Sequence, residues 1–183
     1  LSPDVKSDLL DAFVKSGTYK GKMYGMPDLS SARAFFYNKD LFSKAGISAP
    51  PTTWAEFEDD AKKITALGNG TIGYGLPLGP EEAQGEFSIW TFNNGGGWKD
   101  GDSWVINSPK NVETLEFMKK LAVTDKVTEH NPGKTNRQQA FDLFASGKVG
   151  MVVGFSPLAA TLDEAGKVSY GVAPMPTNDG GTP

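Results

Sequence analysis

Cysteine is absent from the 183 residues, and histidine occurs once. The lack of cysteine excludes disulfides, thiolate zinc sites and cysteine nucleophiles together. No apolar run approaches the roughly 20 residues that a membrane-spanning helix needs, and the first residues lack the basic and apolar segments of a signal peptide. Because the sequence begins in the middle of a pattern and stops at Gly180–Pro183, we expect it to be a piece of a longer protein.

An excess of positive charge is also absent. The chain carries 18 basic and 22 acidic residues, a net charge of −4, and its pI is near 5.0. Without a basic stripe, nucleic acid and anionic membrane surfaces are disfavoured as partners. Hydrophobic residues make up 38% and charged residues 22% of the chain, a balance typical of a folded domain with a buried core.

Groups for catalysis or metal binding do not cluster in the sequence. Glu81-Glu82 and Asp59-Asp60 are adjacent pairs on predicted helices, so their carboxylates point apart and cannot flank one bond; we interpret them as solvated charges. His130 lies alone in a polar loop, and no histidine spacing suits a metal. No Gly-x-Ser-x-Gly nucleophile elbow is present. The sequence therefore predicts a protein that is not an enzyme and needs no metal or cofactor.

Strand and helix patterns alternate along the chain, which favours an α/β architecture with a largely parallel sheet flanked by helices. The predicted strands cover residues 32–37, 72–78, 149–153 and 170–173, and hairpins over 19–27 and 98–106 turn at Lys20-Gly21 and Asp100-Gly101. The predicted helices cover residues 4–16, 40–45, 81–92, 136–145 and 158–165, with two more that start at Thr53 and at Ser108.

The last two helices have clear start signals. Thr53 and Glu56 form a capping box, and Ser108 is a capping residue followed by proline at the first helical position. Hydrophobic spacing then predicts a buried stripe on each helix. The first stripe comprises Trp54, Phe57, Ala61 and Ile64, and the second comprises Val112, Leu115, Met118, Leu121 and Ala122.

Five stretches of the sequence resemble one known family. They are residues 21–27 (GKMYGMP), 36–46 (FYNKDLFSKAG), 50–57 (PPTTWAEF), 144–151 (FASGKVGM) and 171–176 (GVAPMP). In this order they are similar to family 1 of the bacterial extracellular solute-binding proteins, the sugar-binding type of ABC importer component to which maltose-binding protein belongs. The resemblance covers nearly the whole chain.

The resemblance implies a periplasmic-binding-protein-like fold of type II, in which two α/β lobes joined by hinge strands close over a ligand. We expect residues 1–36 to be a remnant of the first lobe and the hinge crossover, 37–173 the second lobe, and 174–183 a truncated return hinge strand. The resemblance also implies an extracytoplasmic protein, periplasmic or a cell-surface lipoprotein. It would deliver a sugar or oligosaccharide to the membrane permease subunits of an ABC importer.

A sugar site needs aromatic platforms and planar polar side chains in a cleft. By resemblance, Phe87 takes the place of a sugar-stacking tyrosine, although the spacing of Phe87 and Trp90 also suits two core residues of an amphipathic helix. Asn94, Gly95 and Gly96 offer an amide and a backbone that a ligand can approach closely. The alternative for this segment is a helix C-cap that runs into a hairpin.

Further candidates lie at the end of a strand and on the crossover. Phe155 and Ser156 follow a predicted strand at its carboxyl end, where ligands of open α/β sheets bind. The family often has a tryptophan platform near this point, so Phe155 would be a weaker one, and Ser156 alternatively caps the next helix. Asp28, Ser31 and Arg33 lie on the crossover, where members of the family supply polar contacts. Arg33 interrupts an apolar strand, which requires either a cleft-facing position or a buried ion pair.

Two other functions stay open at this point. A solute-binding protein of the same fold could take a polyamine, an oxyanion, iron or a peptide. The candidate loops show neither a ring of carboxylates for a cation nor the tyrosine and carboxylate groups that suit iron. A fragment of a glycan-processing enzyme is the other alternative, and it would need a catalytic constellation that the sequence does not display.

Overall fold

The computed structural model describes residues 7–28, 30–178 and 181. The chain divides into two units, Leu1–Ala32 and Arg33–Pro183. None of the helices in the described part of the chain is long and apolar enough to cross a membrane.

The first unit contains a short helix and a hairpin. Helix α1 spans Asp11–Ser16, and strands β1 (Thr18–Tyr19) and β2 (Lys22–Met23) pair antiparallel. Lys20 and Gly21 between them both have positive φ, 46° and 76°, which is the backbone of a tight hairpin turn. The predicted hairpin is confirmed, whereas residues 4–6 of the predicted first helix lie outside the described residues.

The second unit alternates strands and helices, as the sequence predicts. Its strands are β3 (Ala34–Asn38), β4 (Ile72–Gly75), β5 (Lys99–Asp100), β6 (Ser103–Trp104), β7 (Val149–Gly154) and β8 (Tyr170–Ala173). Its helices are α2 (Lys39–Lys44), α3 (Trp54–Thr65), α4 (Ala83–Asn93), α5 (Pro109–Lys119), α6 (Arg137–Ala145) and α7 (Ser156–Ala165). A π-helical turn over Lys120–Thr124 continues α5, and a 3₁₀ turn over Pro132–Lys134 precedes α6.

The main sheet is mixed, which corrects the prediction of a largely parallel one. Its four strands follow the order β4-β7-β3-β8. Only β4 and β7 pair in parallel, because β3 enters the middle of the sheet antiparallel to both β7 and β8. The alternation of strands and helices in the sequence indicates the α/β class, but it does not reveal which strand a long connection inserts in the centre.

Alternate residues of β3 fill two cores on opposite faces of the sheet. Phe35, with none of its surface exposed, packs with residues of α2, α3, α4 and α5, while Phe36, at 3%, packs with residues of α6 and α7. Successive strand residues point to opposite faces, so helices cover the sheet on both sides. Both faces of this strand are therefore buried.

Helix α3 follows its sequence pattern closely. The Thr53 hydroxyl accepts from the Glu56 backbone N–H at 3.2 Å, and the Glu56 carboxylate accepts in return from the Thr53 backbone N–H at 3.2 Å. This is the predicted capping box. The predicted stripe is buried in full, with exposures of 0–4% for Trp54, Phe57, Ala61 and Ile64.

Helix α5 contradicts its hydrophobic pattern. Val112 and Leu115 of the predicted buried stripe are 48% and 55% exposed, whereas Asn111 and Thr114 face inward at 1% and 0%. Met118 and Leu121 are buried as predicted. The helix is rotated about its axis relative to the orientation that its apolar residues predict. Polar side chains on its inner face bond to backbone groups of the segment that follows α4. The spacing of the apolar residues gives no sign of these bonds.

The amide of Asn111 makes most of these contacts. Its Oδ1 accepts from the Thr91 hydroxyl at 2.6 Å and from the Gly97 N–H at 3.0 Å. Its Nδ2 donates to the carbonyls of Gly97 at 2.8 Å and Ile106 at 3.0 Å. Three of these four bonds go to backbone groups between α4 and α5, so the buried amide fixes that segment.

We expect Asn111→Ala to lower the free energy of unfolding by roughly 2–4 kcal/mol, because several buried donors and acceptors lose their partner at once. The matched control is Val112→Ala on the outer face of the same helix, which should cost less than about 1 kcal/mol. Urea unfolding of the two variants measures both values. An equal loss in the two variants would show that α5 is not rotated in this way.

Candidate functional site

The tips of four strands meet at one edge of the main sheet. The carboxyl ends of β4, β7 and β8 lie there beside the amino end of β3, since β3 runs against its two neighbours. The register pairs Ala34 with Gly154. Arg33, the residue before β3, therefore lies beside Phe155, the residue after β7. Ligands of α/β sheets bind at edges of this kind.

Charged side chains surround Phe155 at this edge. The guanidinium carbons of Arg33 and Arg137 lie 4.6 Å and 5.4 Å from the centre of its ring. The Glu82 carboxylate bridges the arginines, with Oε1 2.7 Å from Arg33 Nη1 and Oε2 3.0 Å from Arg137 Nη1. Glu81 Oε1 lies 2.8 Å from Arg137 Nη2. We call these five residues the strand-tip cluster.

Burial differs sharply within the strand-tip cluster. The Glu82 side chain is 4% exposed, against 23% for Arg33 and 34% for Arg137. A buried carboxylate costs several kcal/mol unless a cation compensates it, so Glu82 needs its two arginines. Arg33 is thus ion-paired and at the same time partly exposed at the sheet edge. The ion pair, one of the two alternatives for Arg33 in the sequence analysis, is present in the structure, while a cleft-facing position stays a prediction.

Backbone contacts hold Glu82 beside Arg137. The Gly79 N–H donates to the carbonyl of Thr135 at 2.8 Å and so joins the loop before α4 to the loop before α6. A Cβ at position 79 would lie 2.7 Å from that carbonyl oxygen, so the approach requires glycine. Asn136 then caps α6 with its side chain, and Arg137 is the first residue of the helix.

Phe155 occupies the cap position of α7 with an extended backbone, φ −157° and ψ −178°. Ser156 is the first helical residue and no side-chain hydrogen bond caps this helix, so the prediction that Ser156 caps it is wrong. The reason is that the helix begins earlier than its hydrophobic pattern indicates. The Ser156 side chain is exposed next to Phe155.

A third carboxyl group lies in the interior next to the cluster. Glu86, one helical turn after Glu82, has no exposed surface. Its Oε1 accepts from the Trp90 indole N–H at 2.9 Å and from the Tyr74 hydroxyl. Its Oε2 is buried and has no hydrogen-bond partner among the described residues. This carboxylate therefore has only half of its acceptor capacity satisfied.

Burial governs the protonation of Glu86. Desolvation raises its pKa to about 7, and the hydrogen bonds from Tyr74 and Trp90 lower it by less than burial raises it. The neighbouring charge of Glu82 raises the pKa further, and that of Arg33 lowers it. The carboxyl group of Glu86 therefore titrates near neutral pH, next to the strand-tip cluster.

The structure does not bring Asn94, Gly95 and Gly96 to this edge. They follow the far end of α4, about 18 Å along the helix from Glu82 at 1.5 Å per residue. The side chain of Asn94 is buried and bonded to Lys110, Glu113, Thr114 and Asn178. A Cβ on Gly96 would lie 2.4 Å from Asn111 Oδ1. The helix C-cap alternative therefore explains all three residues, with Gly95 at φ +74°.

The remaining predicted residues have separate surroundings. Phe87 is half-buried, contacts Trp98 with ring centres 5.5 Å apart, and packs against the first core. Trp90 is fully buried, as its spacing indicates. Asp28 and Ser31 belong to the Leu1–Ala32 unit, where both are exposed. Arg33, Phe155 and Ser156 are thus the predicted residues that the structure brings together.

The sequence analysis missed Glu82 and Arg137. The interpretation of the acidic pairs as solvated is wrong for one member of each, since Glu82 is 3% and Asp60 6% exposed. A signal for Arg137 was present. A cation in the first turn of a helix opposes the helix dipole, so it calls for a nearby carboxylate. Glu82 supplies that carboxylate from 55 residues away in the sequence.

We expect the stability of the protein to fall as the pH rises from about 4.5 to 7. The folded pKa of Glu86, about 7, lies above its ordinary value of 4.5, so the folded state holds the proton longer than the unfolded state and loses this advantage through that range. The difference corresponds to about 3 kcal/mol. Glu86→Gln should remove this part of the pH dependence in urea unfolding.

The exposed carboxylate Glu116 provides the control. Glu116→Gln should leave the difference between pH 4.5 and pH 8 as it is in the unsubstituted protein, because this side chain is 66% exposed. If Glu86→Gln and the unsubstituted protein show the same pH dependence of unfolding, the pKa of Glu86 is not raised by folding.

Known proteins are similar to this chain in sequence and in fold. A binding protein of Brucella abortus is 36% identical over 187 residues, covering 99% of this chain and 44% of that protein. The sn-glycerol-3-phosphate-binding periplasmic protein UgpB of Agrobacterium fabrum is 31% identical over 171 residues, 89% of this chain and 38% of that protein. Maltose-bound MalE3 of T. maritima superposes with a TM-score of 0.84 at 30% identity, over 97% of this chain and 46% of that one.

These matches fix the fold and the family. The similarity to MalE3 shows an α/β fold of the periplasmic-binding-protein type II, of which this chain forms a part. The chain spans less than half the length of the relatives it matches, 44% and 38%. The profile of the family described as bacterial extracellular solute-binding protein matches residues 1–183. The chain belongs to that family.

Proposed function

We propose that this chain is part of the substrate-binding component of an ABC importer, and that the component captures a sugar or a similar polyhydroxy solute. The observation that carries the proposal is the strand-tip cluster. It gathers planar donors, a carboxylate and an aromatic ring at the carboxyl edge of an α/β sheet, in a member of a solute-binding family.

The cluster suits hydroxyl groups. The guanidinium carbons of Arg33 and Arg137 lie 4.6 Å and 5.4 Å from the centre of the Phe155 ring, and carboxylates bind both groups, so the guanidiniums are held in place before a ligand arrives. Donors that are fixed in advance lose less entropy on binding than mobile side chains. The Phe155 ring then acts mainly as a support for the arginines and less as a bare platform for a sugar ring.

Capture would proceed by closure of two lobes around the solute. In this proposal residues 37–173 form the second lobe, residues 1–36 contain the crossover with Asp28 and Ser31, and residues 174–183 return toward the hinge. The bound solute bridges the two lobes and stabilises the closed state. The permease subunits of the importer then recognise that state. The protein works outside the cytoplasm, in the periplasm or anchored to the cell surface as a lipoprotein, and it catalyses no reaction.

A phosphate ester is a second candidate solute. UgpB of Agrobacterium fabrum is named as a binding protein for sn-glycerol 3-phosphate, and arginine is the side chain best suited to phosphate oxygens. Both candidate classes are polyhydroxy compounds, so they differ mainly in charge.

Isothermal titration calorimetry of the complete protein against sugars, sugar alcohols and their phosphate esters tests the proposal. We expect a dissociation constant at or below the micromolar range for at least one of these compounds. Heat from a polyamine, a peptide or a ferric complex, with none from the polyhydroxy compounds, would refute the solute class.

We expect Phe155→Ala to weaken binding of that solute by about tenfold, because both guanidiniums lose the ring that positions them and each cation–π contact contributes roughly 0.5–2 kcal/mol. The control is Phe92→Ala, which removes a ring that is 50% exposed on α4 and should leave the affinity unchanged. Titration of both variants at matched temperature provides the comparison. Equal affinities would exclude Phe155 from the site.

A further inference from the structure

We infer that Glu82 sets the charge preference of the strand-tip cluster, so that the site accepts uncharged polyhydroxy solutes and rejects phosphate esters. The inference rests on the proposed function and decides between its two solute classes. Glu82 would act as a specificity-determining residue, through the charge that it places between two arginines.

The charges of the cluster cancel. Arg33 and Arg137 carry two positive charges, and Glu81 and Glu82 carry two negative ones within 2.7–3.0 Å of them. Glu86 adds a further carboxyl group one helical turn below Glu82. A phosphate dianion that reaches this surface meets no net positive charge, and its approach to Glu82 is a contact between like charges, which disfavours the wrong partner.

Carboxylates already engage Arg137. Its two terminal nitrogens bind them, Nη1 that of Glu82 and Nη2 that of Glu81. Bidentate recognition of a phosphate needs two parallel N–H groups of one guanidinium. A phosphate at the two terminal nitrogens of Arg137 would therefore compete with both carboxylates.

Arg33 keeps donors for a ligand. Among the described residues its Nε and Nη2 make no hydrogen bond, and the side chain is 23% exposed. Glu82 Oε1 lies 2.7 Å from Arg33 Nη1 and is itself buried. A ligand therefore meets the donors of Arg33, while the charge of Glu82 beside them decides how strongly a negative group is attracted.

The test compares a sugar or sugar alcohol with its own phosphate ester on the complete protein, by calorimetry at low ionic strength. We expect the unsubstituted protein to bind the uncharged compound at least about tenfold more tightly. Glu82→Gln should shift the ratio of the two affinities toward the phosphate ester by about tenfold or more, because one negative charge between the arginines is gone.

Glu81→Gln is the matched control. It removes the same charge from a side chain that is 47% exposed, and solvent screening should keep its effect on the ratio below about threefold.

Three outcomes would overturn the inference. One is tighter binding of the phosphate ester by the unsubstituted protein, a measurement that needs no variant to fold. Another is an unchanged ratio in a folded Glu82→Gln protein. The third is a failure of every sugar, sugar alcohol and phosphate ester to bind, which refutes the proposed function itself, whereas the first two leave it intact.

Discussion

The position of β3 in the middle of the main sheet determines most of what this chain presents at its strand tips. Its alternate phenylalanines, Phe35 and Phe36, belong to the two cores on either side of the sheet. Its antiparallel pairing with β7 brings the residue before one strand next to the residue after the other. The contact between Arg33 and Phe155 follows from that register. A slip of one residue would exchange the two cores and separate the pair.

Ion pairs add further residues to this contact, and together they form the candidate site. Arg33 lies at a sheet edge where an unpaired guanidinium would be solvated, yet it faces a carboxylate that is almost fully buried. That carboxylate in turn needs a second cation, which the start of α6 provides. Each charge in the group is tolerated because of its neighbours. Such an arrangement costs free energy because its charges are partly desolvated. A partly solvated group of charges of this kind is more typical of a binding site than of a core.

Local signals in the sequence predicted the local structure well. The capping box of α3, the Lys20-Gly21 turn and the burial of Trp54 and Phe57 depend on residues within a few positions of one another. The direction of β3 and the rotation of α5 do not. Both depend on partners far along the chain: β7 for the strand, and the loop after α4 for Asn111. Hydrophobic periodicity indicated the wrong face of α5, because here buried amide and hydroxyl groups take the place of apolar side chains.

The candidate site also contains both residues that local sequence identifies and residues that depend on distant partners. Phe155 and Arg33 were identified because each has a recognisable place, after a strand or within an apolar run. Glu82 and Arg137 become meaningful only when the loops before α4 and α6 are joined through Gly79 and Thr135. The pattern of glycines at the end of α4 has two explanations for a related reason. A close approach of backbone to a side chain requires glycine whether the side chain belongs to a ligand or to Asn111.

Among the described residues the main sheet ends on β8, whose outer edge pairs with no other strand. Edges of this kind promote aggregation between copies of a protein. Here the strand has four residues, and Pro174 and Pro176 follow it directly. Because proline has no N–H to donate, a foreign strand cannot extend its ladder past Ala173. The short edge and the two prolines together make the sheet a poor template for runaway self-assembly.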